Sequence, residues 1–85
     1  MNDIEFDIID ELYFVTAFSE LNRELGLPEE ELGRHLQDLV VRGYVKCFYP
    51  DPDTEVSYQE AAFAGQYRTY YYLATKAGLV AHNSR

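Results

Sequence analysis

The sequence predicts a small α+β fold: three helices, then two strands joined by a long loop, then a short closing helix. Three observations carry this. Apolar residues recur at helical spacing from Ile4 to Val40. Beyond Gly43 the pattern changes to β-branched and aromatic runs, Val45 to Tyr49 and Tyr67 to Leu73. At 85 residues the chain is expected to form one domain, 1–85, and its 47% hydrophobic content is enough for a modest core.

The first helix is expected over about residues 3–17. Ile4, Ile8, Leu12 and Val15 form its apolar stripe, which Phe14 and Phe18 widen. Asp3, Asp7, Asp10 and Glu11 fill the polar side, and the acids near its start oppose the positive helix end. A second, short helix follows over about 19–25, with Leu21 and Leu25 four apart and Ser19 as N-cap or first-turn residue. Gly26 ends it, since glycine tolerates the left-handed cap conformation. The third helix spans about 28–42. Pro28 loses nothing at its start, and Glu29, Glu30 and Glu31 occupy its first turn. Leu32, Leu36, Leu39 and Val40 form its buried stripe, and Gly43 is the expected stop.

A first strand is expected at 45–49, closed by Pro50. Residues 50–66 read as a long loop. Asp51 to Glu55 has turn composition, and Gln59-Glu60-Ala61-Ala62 is compatible with one helical turn. A second strand at 67–73 is expected to pair antiparallel with the first. Tyr70 and Tyr72 then share one face, and Tyr71 and Leu73 the other. Thr75 caps a final short helix through Lys76, Leu79 and Val80, with fraying expected over 82–85.

The charge is uneven. The chain holds 15 acids and 7 bases, a net charge of −8. Residues 1–31 carry net −9, residues 32–50 net +2, residues 51–60 net −4, and residues 61–85 net +3. The overall field therefore does not draw the chain to phosphate backbones or anionic lipid. A single cysteine, Cys47, allows no intrachain disulfide and no thiolate cluster for zinc. The N-terminus lacks the basic residues of a leader, and no apolar run approaches the ~20 residues of a membrane span. A cytoplasmic location, with no membrane association, is the expectation.

The run Phe18-Ser19-Glu20-Leu21-Asn22-Arg23-Glu24-Leu25-Gly26-Leu27-Pro28, continuing through Leu32 and Leu36 to Leu39-Val40-Val41-Arg42-Gly43-Tyr44-Val45, resembles the winged helix-turn-helix domains of bacterial transcription regulators of the MarR, PadR and ArsR types. Tyr72-Leu73-Ala74-Thr75-Lys76-Ala77-Gly78 is similar to the second wing strand of those families and the turn after it. The resemblance implies a three-helix unit, a β-hairpin wing with 50–66 as its long loop, and a short C-terminal helix. It also implies docking of the third helix on DNA; separately, the aromatic strand and loop over 56–73 suggest homodimer contact or partner docking, so a homodimer is expected. Two departures stand out. Asn22 replaces the usual small apolar residue, and the wing carries Asp51, Asp53, Glu55 and Glu60 where a base is usual.

On that reading the DNA contacts are Arg34, Gln37 and Arg42 on the third helix, with Lys46 and Arg68 beyond it. Arginine suits a guanine edge and glutamine an adenine edge. The other exposed positions of the helix are Glu30, Glu31, Asp38 and Val41, with His35 at the boundary. The same residues also support the helix itself, because Glu30/Arg34 and Asp38/Arg42 are acid-first i,i+4 pairs. A second function class is an acidic protein-interaction module working through the long wing and the tyrosine-rich strand. Its contacts would be Tyr58, Phe63, Tyr67, Tyr70 and Tyr72, since tyrosine is enriched at interfaces.

No catalytic chemistry is expected. Asp51-x-Asp53-x-Glu55 matches the start of a calcium loop, but Val56 and Ala62 stand where the required Gly and Glu would be. Glu31 and His35 supply two ligands at most, which reads as a surface pair. Cys47 reads as a packed strand residue, and no phosphate loop or nucleophile signature appears. Metal, cofactor and enzyme activity are therefore all expected to be absent.

Overall fold

Helix α1 (Asp3–Glu11) opens on a reciprocal cap. The Asn2 side chain accepts from the Glu5 amide at 2.8 Å, and Glu5 Oε1 accepts from the Asn2 amide at 3.1 Å. The computed structural model describes residues 1–84. The helix stops six residues before the sequence-predicted end. Tyr13 to Ala17 instead lead into a two-residue strand, β1 (Thr16–Ala17). The aromatic and β-branched run at 13–16 has more to gain in a sheet than in a helix. The Thr16 hydroxyl holds the break by donating to the Phe14 carbonyl at 2.8 Å. Ile8, Ile9 and Leu12 remain core residues, while Val15 and Phe14 leave the apolar stripe for the surface.

Helix α2 (Phe18–Leu25) ends at Gly26, with φ 66°. Asn22 explains itself here. Its side-chain amide donates to the Leu27 carbonyl at 2.7 Å, and its own carbonyl accepts from Gly26. A polar residue thus fixes the turn into helix α3 (Glu29–Val41), which ends beside Gly43 at φ 80°.

Strand β2 (Val45–Phe48) pairs antiparallel with β3 (Glu55–Val56). The predicted long loop is not featureless. Within 50–66 lie β3 and a further helix, α4 (Glu60–Gln66), in which Phe63 is the buried anchor. The predicted second strand is also shorter. Residues Tyr67–Thr69 form one 3₁₀ turn, and the paired strand is β4 (Tyr71–Ala74). The turn brings Tyr67 and Tyr72 together, and the Tyr72 hydroxyl donates to the Tyr67 carbonyl at 2.8 Å. The expected antiparallel pairing of the two main strands is present, with Cys47 opposite Tyr72 and Val45 opposite Ala74. The sheet order is β1-β4-β2-β3.

Helix α5 (Lys76–Asn83) starts on Thr75, whose hydroxyl accepts from the Gly78 amide at 3.1 Å. It does not fray at His82. That ring is buried, stacked on Phe6 at 4.0 Å, with Nε2 3.5 Å from Asp10 Oδ1 and Nδ1 3.2 Å from the Tyr13 hydroxyl. Arg85, the last residue of the predicted frayed tail, lies outside the described residues. Among the described residues the chain is thus an α+β fold of five α-helices and a four-stranded antiparallel sheet. Among those residues no helix is long and apolar enough to cross a membrane.

The core contains Ile8, Ile9, Leu12, Leu21, Leu32, Leu36, Leu39, Cys47 and Tyr72, with an aromatic cluster of Phe18, Phe63, Tyr67, Tyr70 and Tyr72 beside the sheet. Burial pushes the Cys47 thiol up to about 11, with nearby Glu55 adding to the effect, and burial likewise raises Tyr72. Both groups stay neutral in the folded chain and ionise more readily once unfolded. Their contribution to stability is therefore present at neutral pH and declines as pH rises past the ordinary values of 9.0 for cysteine and 10.0 for tyrosine. Urea titrations between neutral and alkaline pH should show this decline, and Tyr72→Phe should reduce its slope. Iodoacetamide should label Cys47 only after denaturation; rapid labelling of the native chain would contradict the buried thiol.

Candidate functional site

The outer face of α3 is where the sequence places its strongest functional expectation. Three leucines, Leu32, Leu36 and Leu39, pin the inner face to the core, so the helix can only present positions between them. Glu30, Arg34, Asp38 and Val41 are exposed, and Glu31, His35 and Gln37 are half-buried. Val41 is an apolar residue with 61% of its surface in solvent.

One stripe of this face is already covered. The segment 57–69 lies along it and meets the helix at three successive turns. Arg68 Nε donates to Glu29 Oε1 at 3.0 Å. The Tyr67 ring lies over Gly33, close enough that a Cβ there would overlap it. Gln37 Nε2 donates to the Tyr58 hydroxyl at 2.8 Å. Beside this cover an open groove of about 340 Å³ is lined by Arg34, Gln37, Asp38, Val41, Tyr58 and Glu60.

The five side chains expected to contact DNA fare differently. Arg42 is bound by the buried Glu5 carboxylate and by Asp38 at 3.1 Å, and its guanidinium lies over the Tyr44 ring at 5.2 Å. Lys46 lies 3.9 Å from Glu55 and near the Phe48 ring. Arg68 is paired with Glu29 and sits 4.5 Å from the centre of the Tyr67 ring. Gln37 is engaged by Tyr58. Arg34 alone of the five has neither an ion pair nor a side-chain hydrogen bond among the described residues. The Asp38/Arg42 pair forms as its spacing implied, while Arg34 makes no such pair with Glu30. The Glu31/His35 pair has its atoms 3.9 Å apart.

The four tyrosines and one phenylalanine expected at an interface need correction. Phe63, Tyr70 and Tyr72 are core residues of this chain: Tyr72 in β4 packs on Phe18, and Phe63 of α4 packs on Tyr70. They have almost no surface to offer a partner. Tyr58 and Tyr67 are half-buried against α3 and α4.

Glu5 was not anticipated. Its position three residues after Asn2 signals a capping box, yet nothing in the sequence tells that its second oxygen reaches Arg42. Removing the arginine leaves a buried carboxylate without its cation. Arg42→Ala should cost about 1–3 kcal/mol, less than a fully buried pair because the guanidinium is partly in solvent. The double variant with Glu5→Gln should recover part of that loss in chemical denaturation. Additive losses would mean that the two side chains do not interact.

The acids at 51–55 hold a turn rather than gather around a point. Asp51 Oδ1 accepts from the Asp53 amide and the Thr54 hydroxyl, both at 2.9 Å. Among the described residues no three of His, Cys, Asp and Glu are placed to share a metal ion. Comparison with protein-family models, with curated proteins and with solved structures finds no significant match.

Proposed function

We infer that this chain is a non-enzymatic docking module on a winged helix-turn-helix plan, and that it recognises a protein rather than DNA. The element order supports the plan. α1, α2, the tight turn, α3, β2, a long connection, β4 and α5 follow the succession that the sequence resemblance implies. β1, β3 and α4 are additions to it.

The observation that carries the choice of partner is the state of the cations. Arg42, Lys46 and Arg68 each face a carboxylate within the chain. Specific DNA binding commonly neutralises several phosphates at once, and each of these side chains would first have to leave its acid. The β2–β3 hairpin adds Asp51, Asp53 and Glu55, which repel a phosphate backbone. The groove beside α3 instead mixes Arg34, two acids, a tyrosine and exposed Val41, a lining suited to a protein surface.

The test is fluorescence anisotropy of labelled mixed-sequence duplexes at about 50 and 200 mM salt. No binding is expected at either. Binding at the lower salt that weakens steeply at the higher, and that Arg34→Ala abolishes, would restore the DNA reading. Sedimentation of the free chain decides whether the expected homodimer forms.

A further inference from the structure

We propose that Tyr13, Phe14 and Val15 form the apolar centre of a docking surface for a basic, amphipathic segment of a partner protein. The proposal rests on the protein-docking reading above and names a surface and a partner chemistry for it. These three consecutive residues are 44%, 81% and 40% exposed. Single exposed apolar residues are ordinary, but a contiguous run of large ones marks a surface that something covers.

The run is held, not loose. The Thr16 hydroxyl donates to the Phe14 carbonyl at 2.8 Å and to the Glu11 carbonyl at 3.4 Å. The Tyr13 hydroxyl donates to Asn83 Oδ1 at 3.3 Å and touches His82 on α5. Backbone bonds fix both flanks, from Ala74 to the Leu12 carbonyl and from Phe18 to the Tyr70 carbonyl. Phe14 is thus presented on a fixed loop beside the edge strand β1, and a partner meets little ordering cost.

Charge selects the occupant. Exposed Asp10 and Glu11 precede the run, separated from it by buried Leu12, within a segment, residues 1–31, that carries net −9. A second copy would bring these acids against each other, on top of −8 per chain. Anionic lipid is repelled for the same reason. A segment alternating aliphatic residues with lysine or arginine satisfies both parts. Its aliphatic side chains cover Phe14 and Val15, and its cations meet Glu11, Asp10 and the Phe14 ring face.

The experiment titrates the isotope-labelled full chain with two peptides of equal length, one alternating leucine with lysine, the other leucine with glutamate, followed by amide NMR. The lysine peptide is expected to shift amides from Glu11 to Ala17, and the glutamate peptide to shift none. Phe14→Ser and Glu11→Lys, both at exposed positions, should each weaken binding, the first by about tenfold or more, with melting unchanged. Shifts centred on Arg34, Gln37 and Val41 would overturn this surface and leave the protein-docking reading standing. No shifts, or equal shifts from both peptides, would also overturn it. So would a concentration-dependent dimer that Phe14→Ser abolishes, which assigns the surface to a second copy. Failure of the underlying reading shows separately, as duplex binding at low salt.

Discussion

Gly78→Ala is expected to cost about 3 kcal/mol, the upper range for forcing one extra methyl into a packed site. For a domain of this size each kcal/mol moves the melting temperature by roughly 4–8 °C, so the midpoint should fall on the order of 15 °C. The cause is backbone, not side chain. Gly78 lies in the first turn of α5, and a Cβ there would run into the carbonyl oxygen of Tyr44. That oxygen cannot swing away freely, because it accepts from the Thr75 amide at 3.0 Å, and Thr75 Oγ1 in turn donates to the Gly43 carbonyl at 2.6 Å. The helix must lift off the α3–β2 turn, loosening Leu79 and His82 from their seats. Gly65→Ala makes an informative contrast. It sits in α4 with nothing near the added methyl, and should stabilise by about 0.5–1 kcal/mol through helix propensity. Equal melting temperatures for the two variants would refute the packing described at Gly78.

Tyr72→Ala should be comparably damaging, at about 3–5 kcal/mol. A domain of 85 residues has about 4–13 kcal/mol in all, so this one change removes a large share of it. Tyr72 is fully buried, lies opposite Cys47 in β2 and Thr16 in β1, and packs on Phe18 and Tyr70. Tyr72→Phe keeps the ring and loses only the bond to the Tyr67 carbonyl, for about 1 kcal/mol. The pair of variants separates core from interface. An interface tyrosine would lower association and leave melting intact; Tyr72 should do the reverse.

Periodicity made α2, α3 and their glycine stops legible, because the leucines and the two turns are set by neighbours a few residues away. The β2/β4 pairing was legible for a similar reason, since two aromatic runs flank one connection. The ends of α1 and β4 were not. Whether Tyr13-Phe14-Val15-Thr16 continues a helix or starts a strand depends on β4, more than fifty residues later in the chain. The apolar period of α1 holds through Leu12, and beyond it sheet pairing outweighs the helical pattern. α4 was missed as a helix because Glu60 to Gln66 is weakly amphipathic, with Phe63 as its one buried residue. The candidate site was legible as a face of α3. Apart from Asp38/Arg42, the engagement of its cations was not: Glu5 and Glu29 lie 37 and 39 residues from the arginines they meet, and Glu55 reaches Lys46 only through the pairing of β2 with β3.

The two-residue strand β1 bears on the order in which the chain can fold. It joins the first helices to β4, and the Leu12 carbonyl, Tyr13 and Asp10 are all met by residues 74–83. Helix α1 and the residues after it therefore close against a segment synthesised much later, with Tyr13 and His82 69 positions apart. Such long-range closure slows folding relative to a bundle of sequence-local contacts. Until residues 70–83 emerge, Ile8, Ile9 and Leu12 lack part of their cover. A nascent chain halted before Tyr70 should expose those residues to proteases that the finished domain resists.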